Sequence, residues 1–137
     1  MQMADSTASI LLVDDEERDL DVIRDLLQAA NYRVCTASSY KDAMRCMENL
    51  PYIPDLLITD IALPEVNGIE LYRKFSHMTG VWMNVLFISA YSGAEILQFY
   101  GLPLSDVHFL AKPFSAEELR SRVKSLIDSP VPLRLAS

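Results

Sequence analysis

With 137 residues, half of them hydrophobic, the chain can bury one core and reads as a single domain. Its formal net charge of −7 argues against nucleic-acid binding by the domain itself, because neutralising phosphates takes clustered lysine and arginine. Two cysteines, Cys35 and Cys46, with no C-x-x-C spacing speak against a zinc site or a disulfide framework, and they fit a reducing, cytoplasmic setting.

Residues 1–8 are small and polar. They lack the charged and apolar regions of a signal peptide and are expected to be a disordered N-terminal segment. Ile10-Leu11-Leu12-Val13 is the first strand candidate, and Asp14 and Asp15 follow it. Residues 16–30 place Leu20, Ile23, Leu26, Leu27 and Ala30 at helical spacing. Asp14 and Glu17 have the spacing of a capping box for that helix. Residues 33–37 read as a short strand. Residues 40–50 read as a second helix with Ala43, Met44 and Met47 on one face, closed by Pro51 and Pro54.

Leu56-Leu57-Ile58-Thr59 is the next strand and leads to Asp60. Pro64 and Asn67-Gly68 mark a turn, read from the tolerance of Asn and Gly for positive φ. A third helix over 68–77 carries Ile69, Leu71, Tyr72 and Phe75. Val85-Leu86-Phe87-Ile88 is a strand ending at Ser89, and residues 92–100 read as a fourth helix. Residues 107–111 read as the last strand, followed by Lys112. A fifth helix over 115–128 opens on a second capping box, Ser115 with Glu118. Residues 129–137 look like a helix stop and the start of a linker. No run of the sequence is apolar for long enough to cross a bilayer.

The strands are continuous apolar runs, as expected where parallel strands are covered on both faces. Alternating strands and helices indicate a parallel α/β sheet with right-handed crossovers. In such sheets ligands bind at the carboxyl edge of the strands. Asp14, Asp15, Asp60, Ser89 and Lys112 all fall there. Each has an ordinary reading alone: a helix cap, an exposed strand-end acid, a solvated lysine. Together they supply acids for a divalent cation, with a cation and a hydroxyl for a phosphoryl group.

Taken in order, Val13-Asp14-Asp15-Glu16, Asp60 with Leu63-Pro64 and Asn67-Gly68-x-Glu70-Leu71, Ser89-Ala90 and Lys112-Pro113-Phe114 resemble the receiver domain of two-component response regulators. The resemblance covers residues 9–128. It implies a flavodoxin-like fold: a five-stranded parallel sheet in the order 2-1-3-4-5, flanked by five helices, an order carried over from the family. It also implies that Asp60 accepts a phosphoryl group from a sensor histidine kinase or a phosphotransfer protein. The chain would then be a signalling phosphoacceptor, catalysing only its own phosphotransfer and dephosphorylation.

The cofactor implied is Mg²⁺, which takes oxygen ligands and keeps several waters. Asp15 and Asp60 would bind it directly, Asp14 through water, and the Ala62 carbonyl would complete the set. Lys112 and Ser89 would contact the phosphoryl oxygens. Ser89 and Phe109 would form the switch, Phe109 packing inward without a hydroxyl to bond. Ala62 and Tyr91 occupy positions that tune dephosphorylation in the family, and residues 101–106 form a longer lead into the last strand than usual.

An output domain after residue 137 is favoured over a separate effector. A homodimer through the fourth helix, last strand and fifth helix is a further implication, since Ile96, Leu97, Phe99, Tyr100, Leu102 and Leu104 cannot all point inward. Three other classes fit less well. A dehalogenase-like phosphatase would carry a second acid where Ala62 stands. A flavodoxin-like electron carrier would not place Asp14-Asp15-Glu16-Glu17 against a flavin phosphate. An unphosphorylated module of this fold would not need the acid pair with Asp60 and Lys112.

Overall fold

The computed structural model describes residues 7–90, 93–102 and 107–135, apart from the side chains of residues 93, 94 and 96. Tyr91, Leu104 and the Ile96 side chain therefore lie outside the described residues, as does most of the lead into the last strand. Ten elements alternate: β1 (Ser9–Val13), α1 (Glu17–Ala29), β2 (Arg33–Ala37), α2 (Tyr40–Asn49), β3 (Leu56–Asp60), α3 (Gly68–Thr79), β4 (Val85–Ser89), α4 (Gly93–Phe99), β5 (Phe109–Ala111) and α5 (Ala116–Asp128). All pairings are parallel, and the sheet order is β2-β1-β3-β4-β5.

The two-residue period of the strands divides the core. Ile10, Leu12, Leu56, Ile58, Leu86 and Ile88 face one side and pack with Leu20, Ile23 and Leu27 of α1 and Leu119, Val123 and Leu126 of α5. Leu11, Val13, Leu57, Val85 and Phe87 face the other, where α2 supplies Ala43 and Met47, α3 supplies Ile69, Tyr72 and Phe75, and α4 supplies Leu97. Burial on both faces accounts for the unbroken apolar runs of β1, β3 and β4.

The last strand is shorter than expected, beginning at Phe109 rather than residue 107. It lies at the sheet edge with β4 as its neighbour, so fewer ladder bonds hold it. The His108 carbonyl still accepts from Phe87 N at 2.9 Å. The two capping boxes fare differently. Ser115 and Glu118 form theirs in full at the start of α5. Asp14 and Glu17 do not: α1 has Glu16 as its N-cap without a side-chain cap, and Asp14 Oδ1 accepts from Glu16 N at 2.9 Å. Cys35 and Cys46 are free thiols with their sulfurs 3.4 Å apart.

Residues 129–135, read as a tail, turn back onto the domain. Leu135 is buried and Leu133 half-buried in the core on the α3 side of the sheet. The Tyr72 hydroxyl reaches both Met83 O (2.8 Å) and Leu133 O (2.6 Å). Buried Asn84 donates from Nδ2 to Leu126 O at 2.8 Å and accepts from Val131 N at 3.2 Å. Among the described residues no helix is long and apolar enough to cross a membrane.

Candidate functional site

Parallel strands in register bring their carboxyl ends to one edge. Val13 pairs with Thr59, Asp60 with Ile88 and Ser89 with Ala111. The residues at or after these ends are therefore neighbours although almost a hundred positions separate the first from the last. Asp14, Asp15 and Asp60 each offer a carboxylate oxygen, and these oxygens all lie within 4.8 Å of one another. Asp14 and Asp60 are buried and Asp15 is exposed. An all-oxygen, acid-rich donor set with one solvent-facing member suits a hard divalent cation that keeps part of its water shell.

Lys112 closes the site. Its ammonium donates to Asp14 Oδ2 at 2.7 Å, Asp19 Oδ2 at 2.8 Å and Asp60 Oδ2 at 3.2 Å. The backbone holds it there too, since Lys112 N donates to Ser89 O at 2.8 Å. The Lys112–Pro113 peptide is cis. Burial works against the charged ammonium, but hydrogen bonds to Asp14 and Asp19 and the charges of Asp14 and Asp60 outweigh it, so the lysine holds its proton more tightly than usual. Burial raises the pKa of Asp14, and the Lys112 hydrogen bond only partly offsets this.

The loop after β3 is tightly closed. Asp60 Oδ1 accepts from Ala62 N at 2.9 Å, and Gly68 N donates to Ile61 O at 2.8 Å. Asn67 caps α3 by accepting from Glu70 N at 3.0 Å, and its Nδ2 donates to the Tyr100 hydroxyl at 2.8 Å. Neither Asn67 (φ −68) nor Gly68 has a positive φ. Gly68 is required instead because a Cβ there would fall 2.4 Å from the Asp60 carbonyl oxygen. This corrects the turn-based reading of Asn67-Gly68: close approach, not an unusual dihedral, explains the glycine.

Ser89 ends β4 and is fully buried. Phe109 begins β5 half-buried, packed against the α3-side core, with its carbonyl accepting from Arg122 Nη1 at 2.8 Å. Beyond β4, Leu97 is buried while Phe99 is 85 % exposed, so the apolar stretch of α4 does present one large ring to solvent. Asp19 carries no distinguishing mark in the sequence. An acid in the first turn of a helix is ordinarily read as a partner of the helix dipole, and nothing local shows that it reaches a lysine 93 positions away.

Comparison with known proteins identifies the family. Residues 10–124 match the response regulator receiver domain. The chain is 32% identical over 118 residues to the alkaline phosphatase synthesis transcriptional regulatory protein PhoP of Bacillus subtilis, covering 86% of this chain and 48% of that protein. It is 36% identical over 125 residues to a probable transcriptional regulatory protein of Picosynechococcus, covering 88% and 49%. The chain thus spans about half the length of these curated relatives.

Among solved structures, a receiver domain from Clostridium thermocellum superposes with a TM-score of 0.72 at 30% identity, covering 88% of this chain and 94% of that one. The response regulator TrrA of Thermotoga maritima, solved with Mg²⁺ and BeF, gives 0.70 at 26%, covering 88% and 99%. The chain belongs to the response regulator receiver domain family. Among its described residues Asp14, Asp15 and Asp60 form an acidic pocket that could hold a metal ion.

Proposed function

We propose that the chain is a phosphoacceptor switch in which Asp60 takes a phosphoryl group from a histidine of a sensor kinase or phosphotransfer protein. The observation that carries this reading is the meeting of the Asp14, Asp15 and Asp60 carboxylates with the Lys112 ammonium at a single sheet edge. A carboxylate oxygen of Asp60 attacks phosphorus, the phosphorus–nitrogen bond to the donor histidine breaks, and that histidine takes up a proton. Such transfer depends mainly on positioning and charge neutralisation. The carboxylates of Asp14, Asp15 and Asp60 and the Ala62 carbonyl would hold Mg²⁺, which supplies neutralisation at the phosphoryl oxygens. Lys112 supplies the second positive charge, as a point-charge donor.

Ser89 donates its hydroxyl to the phosphoryl group, and Phe109 follows by packing inward. The Asn67–Tyr100 hydrogen bond joins the loop after Asp60 to the end of α4, giving the site a direct mechanical connection to that helix. The response is read through α4, β5 and α5, either by a second copy of the chain or by an output domain beyond residue 137, consistent with the greater length of the relatives. A separate effector is the alternative reader. The domain itself catalyses only its own phosphotransfer and dephosphorylation, acts in the cytoplasm, and does not touch nucleic acid directly. Residues 9–128 form the receiver.

Incubation with acetyl phosphate, with and without Mg²⁺, followed by intact mass measurement tests the proposal. One added phosphate per chain is expected with Mg²⁺ and none after chelation. Equal labelling of Asp60→Asn refutes the assignment.

A further inference from the structure

Lysine has three ammonium hydrogens to donate, and in this site each meets a different carboxylate. Two of these acids, Asp14 and Asp60, belong to the cation-binding cluster; Asp19 does not. It reaches the ammonium from the first turn of α1, at a distance only 0.1 Å longer than that of Asp14 and shorter than that of Asp60. Its side chain is 43% exposed, whereas that of Lys112 is 11% exposed. Asp19 also lines an open groove of about 390 Å³ beside Lys112 and Ala90. The carboxylate can therefore swing into solvent without unpacking the core, which Asp14, fully buried, cannot do.

We propose that Asp19 is a positioning residue for Lys112: a resident anion that occupies the lysine until a phosphoryl group displaces it. The inference rests on the phosphoacceptor reading above. When Asp60 carries a phosphoryl group, the new dianion competes for the same ammonium. Asp14 is fixed by burial and by Glu16 N, and Asp60 is the residue modified. Asp19 is the partner that gives way. Until it does, its charge also opposes the approach of an anionic phosphodonor. Asp19 thus sets a threshold, keeping Lys112 aligned in the resting site and weakening the site's hold on phosphoryl groups.

The test compares Asp19→Asn with two controls. Asp19→Glu keeps the charge. Glu17→Gln removes a charge from the same helical turn, where the side chain is exposed and outside the Lys112 cluster. In Asp19→Asn the second-order rate constant for labelling by acetyl phosphate should rise roughly threefold, the scale of a partly exposed ion pair. Beryllofluoride should bind more tightly by a similar factor. Without metal or phosphodonor, the Lys112 ammonium NMR signal should shift and broaden as one of its three acceptors is lost. Asp19→Glu should restore all three readouts, and Glu17→Gln should leave the ammonium signal in place and change the rate less.

An unchanged labelling rate in Asp19→Asn overturns the proposal. So does an equal rise in Glu17→Gln, which would assign the effect to the general field of the helix. A wild-type chain that takes no label at Asp60 overturns the phosphoacceptor reading and this inference with it; labelled wild type with no response to Asp19 overturns this inference alone.

Discussion

Replacing Gly68 with alanine should damage both the fold and the site. The added Cβ would lie 2.4 Å from the Asp60 carbonyl oxygen and 3.1 Å from Asp60 C and Ile61 Cα, all backbone atoms. Ordinary contact begins near 3.4 Å, so the start of α3 and the end of β3 must separate by about 1 Å. Neither yields easily. Asp60 is paired in register with Ile88, and Ile61 N donates to Ile88 O at 2.9 Å. On the other side, Ile69, Leu71, Tyr72 and Phe75 anchor α3 in the core.

Overpacking of this kind costs about 1–3 kcal/mol, and alanine's helical preference returns at most about 1 kcal/mol at a first-turn position. A net loss of roughly 1.5 kcal/mol, with a urea slope near 1.5 kcal/mol/M, lowers the midpoint by about 1 M. A displacement of about 1 Å at a reacting group costs on the order of 100-fold in rate, so Mg²⁺-dependent labelling should fall about 10- to 100-fold. Gly80→Ala is the control: its strain comes from φ 77 with no atom within 4 Å, so it should cost about 1 kcal/mol and leave labelling intact. If Gly68→Ala unfolds within about 0.5 kcal/mol of wild type and labels at the wild-type rate, the close-approach argument is wrong.

Mg²⁺ binding should depend more on exposed Asp15 than on Asp14, whose oxygens already accept from Lys112 and Glu16 N. Amide-shift titrations of the two Asp→Asn variants should show the larger affinity loss for Asp15. At about ten times its Kd the ion should stabilise wild type by roughly 1.4 kcal/mol, reversed by chelation. Tyr72→Phe removes the hydroxyl shared by Met83 O and Leu133 O. It should cost about 1–2 kcal/mol and speed hydrogen exchange over residues 131–135, read by mass spectrometry. The pH profile follows from two raised pKa values. Folded Asp14 holds its proton above its ordinary 3.8, so metal-free stability falls as pH rises from that value through the folded one. Asp14→Asn should flatten that fall in urea melts. Folded Lys112 also holds its proton more tightly, so its contribution persists through neutrality and is lost only above its ordinary 10.5.

Much of the site was legible because each part of it is announced by its own strand. An apolar run buried on both faces ends where the sheet ends, so Asp14, Asp60, Ser89 and Lys112 mark one edge before any contact is known. What was hidden depends on tertiary partners. The two capping boxes make the contrast. Ser115 and Glu118 face solvent and follow their local pattern, whereas Asp14 is drawn inward by Lys112 and leaves Glu16 as the cap. Asp19 looks like any first-turn acid. Gly68 looks like a turn residue, because close approach of a distant carbonyl leaves no trace in the local sequence. Residues 129–135 look like a linker because proline-rich segments commonly are, yet Leu133 and Leu135 find an apolar seat beside Tyr72.

The central claim is that Asp60 itself carries the phosphoryl group. An acyl phosphate is reduced by borohydride to an alcohol while a free carboxylate is not, so the modified aspartate becomes homoserine. Treating the Mg²⁺ and acetyl phosphate reaction with borohydride, then sequencing the peptides by mass spectrometry, should find homoserine at position 60, lost when Mg²⁺ is chelated. Homoserine at position 14, 15 or 19, or an unaltered Asp60 in a chain that has gained phosphate, would contradict the account.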